Sequence, residues 1–154
     1  MSLQKGDKAP DFKLVDSQTH EVQLSDYAGK KLVLLFFPLA YTGVCTTELC
    51  TMRDDIATYN NLNADVLAVS VDSPFVLDKF KADNNLNFKL ASDFNATASA
   101  AYGAKYDEFV LGMKNVSKRS AFVIDEHGTV QYAEVLESAG DLPSFENVKA
   151  ALAS

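Results

Sequence analysis

Two stretches of the chain are apolar with almost no alternation. Leu32-Val33-Leu34-Leu35-Phe36-Phe37 and Val66-Leu67-Ala68-Val69-Ser70-Val71 read as strands buried on both faces, as in the middle of a sheet covered by helices. Pro38 stops the first, because it has no N–H to continue a ladder. Beyond Gly43 the period changes: Leu49, Met52 and Ile56 recur at helical spacing, with Thr46, Glu48, Arg53, Asp54 and Asp55 between them. The second strand is followed by Ser73-Pro74, an N-cap and a first-turn proline, and by Val76, Leu77 and Phe80 at helical spacing.

Shorter elements flank these two strand-to-helix units. Phe12 to Val15 and Val22 to Leu24 alternate around the polar Asp16-Ser17-Gln18-Thr19-His20 and predict a hairpin, after which Ser25 or Asp26 caps a short turn. A brief strand near Phe88 to Leu90 and a short helix around Ala96 to Ala101 follow. Strands Ala121 to Asp125 and Thr129 to Leu136 are joined by a turn at Glu126-His127-Gly128. A last helix carries Phe145, Val148 and Leu152 on one face. Strands interleaved with helices, ending in a hairpin, predict an α/β fold with a mixed central sheet.

At 154 residues and 47% apolar content the chain suits a single domain, 1–154, able to build its own core. A net charge of −7 with no basic stripe argues against nucleic acid as a partner. The longest apolar run is six residues, against the roughly 20 that cross a bilayer. The start, Met1-Ser2-Leu3-Gln4-Lys5-Gly6, lacks the apolar stretch of a secretory signal, so the expectation is a soluble cytoplasmic protein without a membrane partner. In that compartment two cysteines read as chemistry rather than as a structural disulfide.

Cys45 is where that chemistry would sit. It falls in the first turn of the helix that follows the apolar strand, where backbone N–H groups lack partners and the helix dipole favours an anion, and so a thiolate. A lone cysteine at a helix start is more often a small core residue. Here Pro38 and Thr42 precede it at fixed offsets, and Pro-x-x-x-Thr-x-x-Cys resembles the active-site signature of the peroxiredoxins. Ala9-Pro10-Asp11-Phe12, Phe36-Phe37-Pro38, Glu48, Ser92-Asp93, Ala101-Tyr102-Gly103 and Arg119-Ser120-Ala121-Phe122-Val123-Ile124-Asp125 also fall where that family has similar segments. Phe-Phe-Pro-Leu-Ala-Tyr-Thr-Gly-Val-Cys is most similar to the alkyl-hydroperoxide-reductase E group, whereas the second cysteine resembles the bacterioferritin-comigratory (Q-type) group.

The resemblance implies a thioredoxin-like fold and a thiol-dependent peroxidase that needs no metal or organic cofactor. Its substrates would be hydrogen peroxide and organic hydroperoxides, and thioredoxin or a similar dithiol would recycle it. Cys45 would be the nucleophile and become a sulfenic acid. Thr42 would donate its hydroxyl to the sulfur or the peroxide, and Pro38 would shield the pocket without a competing N–H. Arg119 would stabilise the thiolate and the leaving oxygen, and Glu48 would orient that arginine. Taken singly, Arg119 reads as a surface charge beside Lys118, Thr42 as a helix cap and Glu48 as a solvated residue. Phe36, Phe37, Tyr41 and Phe94 read as core or pocket wall, and Tyr41 together with Phe109 to Met113 also as groove lining or the contact of a homodimer.

Cys50 has two readings. A five-residue separation in a helix puts the Cα atoms of Cys45 and Cys50 about 8.6 Å apart and roughly 140° around the axis. A disulfide needs about 4.4–6.8 Å. Either Cys50 resolves the sulfenic acid after the first turn unwinds, as the Q-type spacing implies, or it is inert and an external thiol completes a one-cysteine cycle. In both, the folded reduced protein has two separate thiols. His20 and His127 lie in polar turns, and with Cys45 and Cys50 they lack the spacing of zinc modules. On the same fold, a thiol–disulfide exchange protein and a redox sensor that does not turn over are the alternative functions.

Overall fold

The computed structural model describes residues 3–153. Met1, Ser2 and Ser154, part of the expected 1–154 domain and of the N-terminal reading, lie outside the described residues. Seven strands form one mixed sheet in the order β2-β1-β5-β4-β3-β6-β7. Its parallel centre consists of β3 (Lys31–Phe36), β4 (Ala64–Ser70) and β5 (Lys89–Ser92). The hairpin β1 (Lys13–Asp16) and β2 (Glu21–Gln23) extends one side antiparallel to β5, and β6 (Ser120–Ile124) and β7 (Val130–Val135) extend the other, antiparallel to β3. This is the thioredoxin-like α/β fold.

Helices α1 (Gly43–Asp54), α2 (Ile56–Asn61), α3 (Pro74–Asp83), α4 (Thr97–Ala101) and α5 (Phe145–Ala153) connect and cover it. The unalternating strands are explained by what covers them. Val33, Leu35 and Ala68 face one apolar layer with Leu49, Met52, Leu77, Phe80, Val148 and Leu152, whereas Leu32, Leu34, Phe36, Leu67 and Val69 face another with Phe12, Tyr102 and Phe122. Ser73 caps α3 as its sequence predicts, its hydroxyl accepting from the Val76 N–H at 3.2 Å.

Two sequence expectations change. Ile56 does not continue α1: the chain leaves helical geometry at Asp55 (φ −112°, ψ 10°), and Ile56 opens α2. The hydrophobic period survives this break because Ile56 still packs on the same core layer as Leu49 and Met52. Phe36 and Phe37 are core, but Tyr41 and Phe94 are 52% and 53% exposed. Tyr41 takes a left-handed backbone (φ 67°), which turns its ring onto Phe80 and its hydroxyl to Asp83.

Candidate active site

The site forms where β3 ends. The Phe37 N–H still donates to Val69 O at 2.9 Å, and Pro38 ends the pairing. The turn from Leu39 to Thr42 is pinned from outside by Asp72, whose carboxylate accepts from the Ala40 N–H at 2.7 Å and from Ser70 Oγ at 2.6 Å. Thr42 then occupies the N-cap position of α1, but its side chain does not cap the helix. Its hydroxyl donates to Leu39 O at 2.7 Å rather than to the sulfur. With its proton engaged there, the oxygen keeps lone pairs to accept a bond from a bound molecule.

Cys45 lies in the first turn of α1, with no exposed surface, and its thiol is free. The fold delivers Arg119 to it: the residue immediately precedes β6, the strand antiparallel to β3, so its side chain reaches the end of β3 where α1 starts. Arg119 Nη1 lies 3.3 Å from Cys45 Sγ and 2.6 Å from Glu48 Oε1, and Nη2 donates to Ala139 O at 2.9 Å. Glu48 is on the buried face of α1, three residues from Cys45, and is itself fully buried. Thus one planar cation serves the thiol, a carboxylate and a backbone carbonyl. That use of the guanidinium fork is closed to lysine.

Burial pushes the Glu48 carboxyl up to about 7, against the downward pull of Arg119. Because the folded value lies above the ordinary 4.5, the folded protein holds a proton there that the unfolded chain releases. The stability this contributes is complete below pH 4.5 and is lost as pH rises through about 7. Urea unfolding should therefore show wild type losing stability relative to Glu48→Gln between pH 5 and pH 8, by on the order of 2 kcal/mol. Equal pH slopes for the two proteins would show that Glu48 stays ionised throughout.

Pro38, Thr42, Gly43, Val44, Cys45, Phe109, Arg119, Ala139 and Gly140 line an open cleft of about 280 Å³ over the thiol. Its lining surface is almost wholly apolar, and Arg119 is the one charged residue in it. All four residues expected around Cys45, namely Pro38, Thr42, Glu48 and Arg119, are brought together. Cys50 is not: it lies farther along α1, also free, with its thiol donating to Asn84 Oδ1 at 3.8 Å. The sequence reading missed Ala139 and Gly140, which belong to an irregular loop beyond β7 and have no motif. Their one signal is that the strand pairing with β6 must end beside Arg119.

A sulfur in the first turn of a helix, one shared guanidinium and a small apolar cleft are what a thiol-dependent peroxidase requires. The comparisons with known proteins agree. The AhpC/TSA family model matches residues 5–133. Alkyl hydroperoxide reductase E of Mycobacterium tuberculosis is 37% identical over 136 residues, covering 86% of each chain. The mitochondrial thioredoxin-dependent peroxide reductase of Drosophila melanogaster is 38% identical over 91% of this chain, which spans 60% of that protein's length. The crystal structure of a Xylella fastidiosa PrxQ with a cysteine-to-serine substitution superposes with a TM-score of 0.87 at 27% identity, covering 99% of this chain and 96% of that one. The chain belongs to the AhpC/TSA family, the peroxiredoxins. A thiol–disulfide exchange protein and a sensor without turnover are not favoured by these relatives.

Proposed function

We propose that Cys45 is the peroxide-reducing nucleophile, acting on hydrogen peroxide and small organic hydroperoxides admitted by the apolar cleft. The observation that carries this is the 3.3 Å approach of Arg119 Nη1 to Cys45 Sγ. The thiolate attacks one peroxide oxygen, an S–O bond forms as the O–O bond breaks, and the departing oxygen is protonated from solvent. Cys45 is left as a sulfenic acid. Arg119 offsets charge first on sulfur and then on the leaving oxygen, Thr42 Oγ1 accepts from the peroxide O–H, Pro38 keeps a competing donor out, and Glu48 holds the guanidinium in place.

Cys50 resolves that sulfenic acid. Its sulfur attacks Cys45 Sγ, the S–O bond breaks, and the hydroxyl leaves as water with the proton of the Cys50 thiol. A dithiol protein such as thioredoxin then reduces the disulfide, in keeping with the name of the Drosophila relative. The helix that must open for this is a poor one by composition. Gly43, Val44, Thr46, Thr47 and Thr51 all have low helix propensity. Thr46, Thr47 and Thr51 turn their hydroxyls back to the carbonyls four residues earlier, at 2.9, 3.1 and 2.8 Å, a contact that weakens and bends helices. Val110 and Leu111, 59% and 96% exposed beside Phe109 of the cleft, give a homodimer an apolar edge. No described helix is long and apolar enough to cross a membrane.

One equivalent of peroxide added to the reduced protein should give a Cys45–Cys50 linkage in non-reducing mass analysis. A lasting sulfenic acid in the wild-type protein would remove Cys50 from the cycle and leave a one-cysteine mechanism.

A further inference from the structure

If α1 is intrinsically weak, something outside it must help hold it shut, and besides its core packing and the Arg119 contacts its side-chain hydrogen bonds to other elements come from one short segment. Asn84 is the C-cap of α3, and its side chain is itself fixed by donation from Nδ2 to Phe80 O at 3.0 Å. From that position Asn84 Oδ1 accepts the thiol of Cys50 at 3.8 Å, and Asn84 O accepts from Arg53 Nη1 at 2.7 Å. Three residues on, Asn87 Nδ2 donates to Arg53 O at 3.3 Å. At the other end of the active-site turn, the Tyr41 hydroxyl donates to Asp83 Oδ2 at 2.8 Å. Residues 83–87 thus grip the active-site helix at its C-terminal turns and the loop that leads into it.

The bond on Cys50 must break before that thiol can swing some 140° around the axis to Cys45, and the bonds on Arg53 hold the turn that carries it. None of them touches the cleft, Cys45 or Arg119. We propose that the 83–87 segment is a latch on α1, and that Asn84 and Asn87 set the rate at which Cys50 reaches the sulfenic acid without affecting how that acid forms. They are positioning residues for the resolving step. This rests on the reading of Cys50 as the resolving thiol. Arg53 is a poor site for the test, because it lies three residues from Cys50 on the same face of the helix, so its loss would change the surroundings of that thiol as well as the latch.

The test uses Asn84→Ala and Asn87→Ala in the otherwise complete protein. Reduced protein is mixed with one equivalent of hydrogen peroxide, quenched at intervals, and assayed for sulfenic acid and for the Cys45–Cys50 disulfide. Each variant removes a single hydrogen bond to α1, so disulfide formation should speed up about three- to tenfold. The second-order rate of sulfenic acid formation should be unchanged. Amide hydrogen exchange in α1 should rise by a similar factor while that of β3 and β4 does not. A wild type that forms the disulfide while both variants form it at the wild-type rate, or more slowly, overturns the latch and leaves the role of Cys50 standing. A wild type that forms no disulfide overturns both. Asn87 is exposed and gives only the bond to Arg53 O, so its variant decides the matter alone if Asn84→Ala does not fold.

Discussion

Replacing Cys45 by serine should abolish peroxide turnover while leaving the fold intact. Oxygen and sulfur differ little in size at this fully buried position, but a serine hydroxyl does not ionise near neutral pH and cannot take an oxygen atom from a hydroperoxide. Peroxide consumption in the presence of thioredoxin, its reductase and a nicotinamide electron donor would fall to the uncatalysed rate. Cys50 would not substitute for it, because its thiol points to Asn84 and has no contact with Arg119. Residual turnover comparable to wild type in Cys45→Ser would move the chemistry to Cys50 and undo the assignment of the site.

Arg119→Ala carries two separable losses. The first is kinetic: removing the guanidinium on the sulfur should slow stopped-flow oxidation of Cys45 by about 10²–10³, the usual loss when one preorganised donor at a developing charge is removed. The second is structural. Glu48 would remain fully buried without its partner, and breaking a buried pair from one side costs about 3–5 kcal/mol. Burial already raises the Glu48 carboxyl, so part of that cost is relieved by its taking up a proton. Arg119→Lys separates the two: it restores a charge but not the three-way fork, so stability should recover more than rate. An oxidation rate in Arg119→Ala equal to wild type, in protein shown to be folded, would exclude Arg119 from the chemistry.

The sequence made the reacting residues and part of the lining of this site legible and hid the part formed by Ala139 and Gly140. Pro38, Thr42 and Cys45 are local, their offsets fixed by one strand end and one helix start, so their meeting follows from covalent distance. Arg119 is distant in sequence and became legible only through the segment around it. On its own it is one more cation beside Lys118, and what brings it in is the antiparallel pairing of β6 with β3. No motif announced Ala139 and Gly140, because a backbone carbonyl that accepts from a guanidinium, as that of Ala139 does, places no demand on its side chain. The break at Asp55 was invisible for another reason: Ile56 keeps the helical period across it, and periodicity reports which face is buried, not whether the backbone is continuous. Thr42 illustrates a third limit, since a hydroxyl's place can be read from spacing but the direction of its proton cannot.

The threonine-rich make-up of α1 has a thermal consequence. Taking an oxygen atom needs no rearrangement of the backbone, whereas presenting Cys50 to Cys45 means melting a stretch of helix, and such openings change about 3–6-fold per 10 °C. With Cys50 as the second thiol, the two halves of the cycle therefore drift apart on cooling. In the cold the protein would stall with oxygen on its sulfur; in warmth the bridge would follow almost at once.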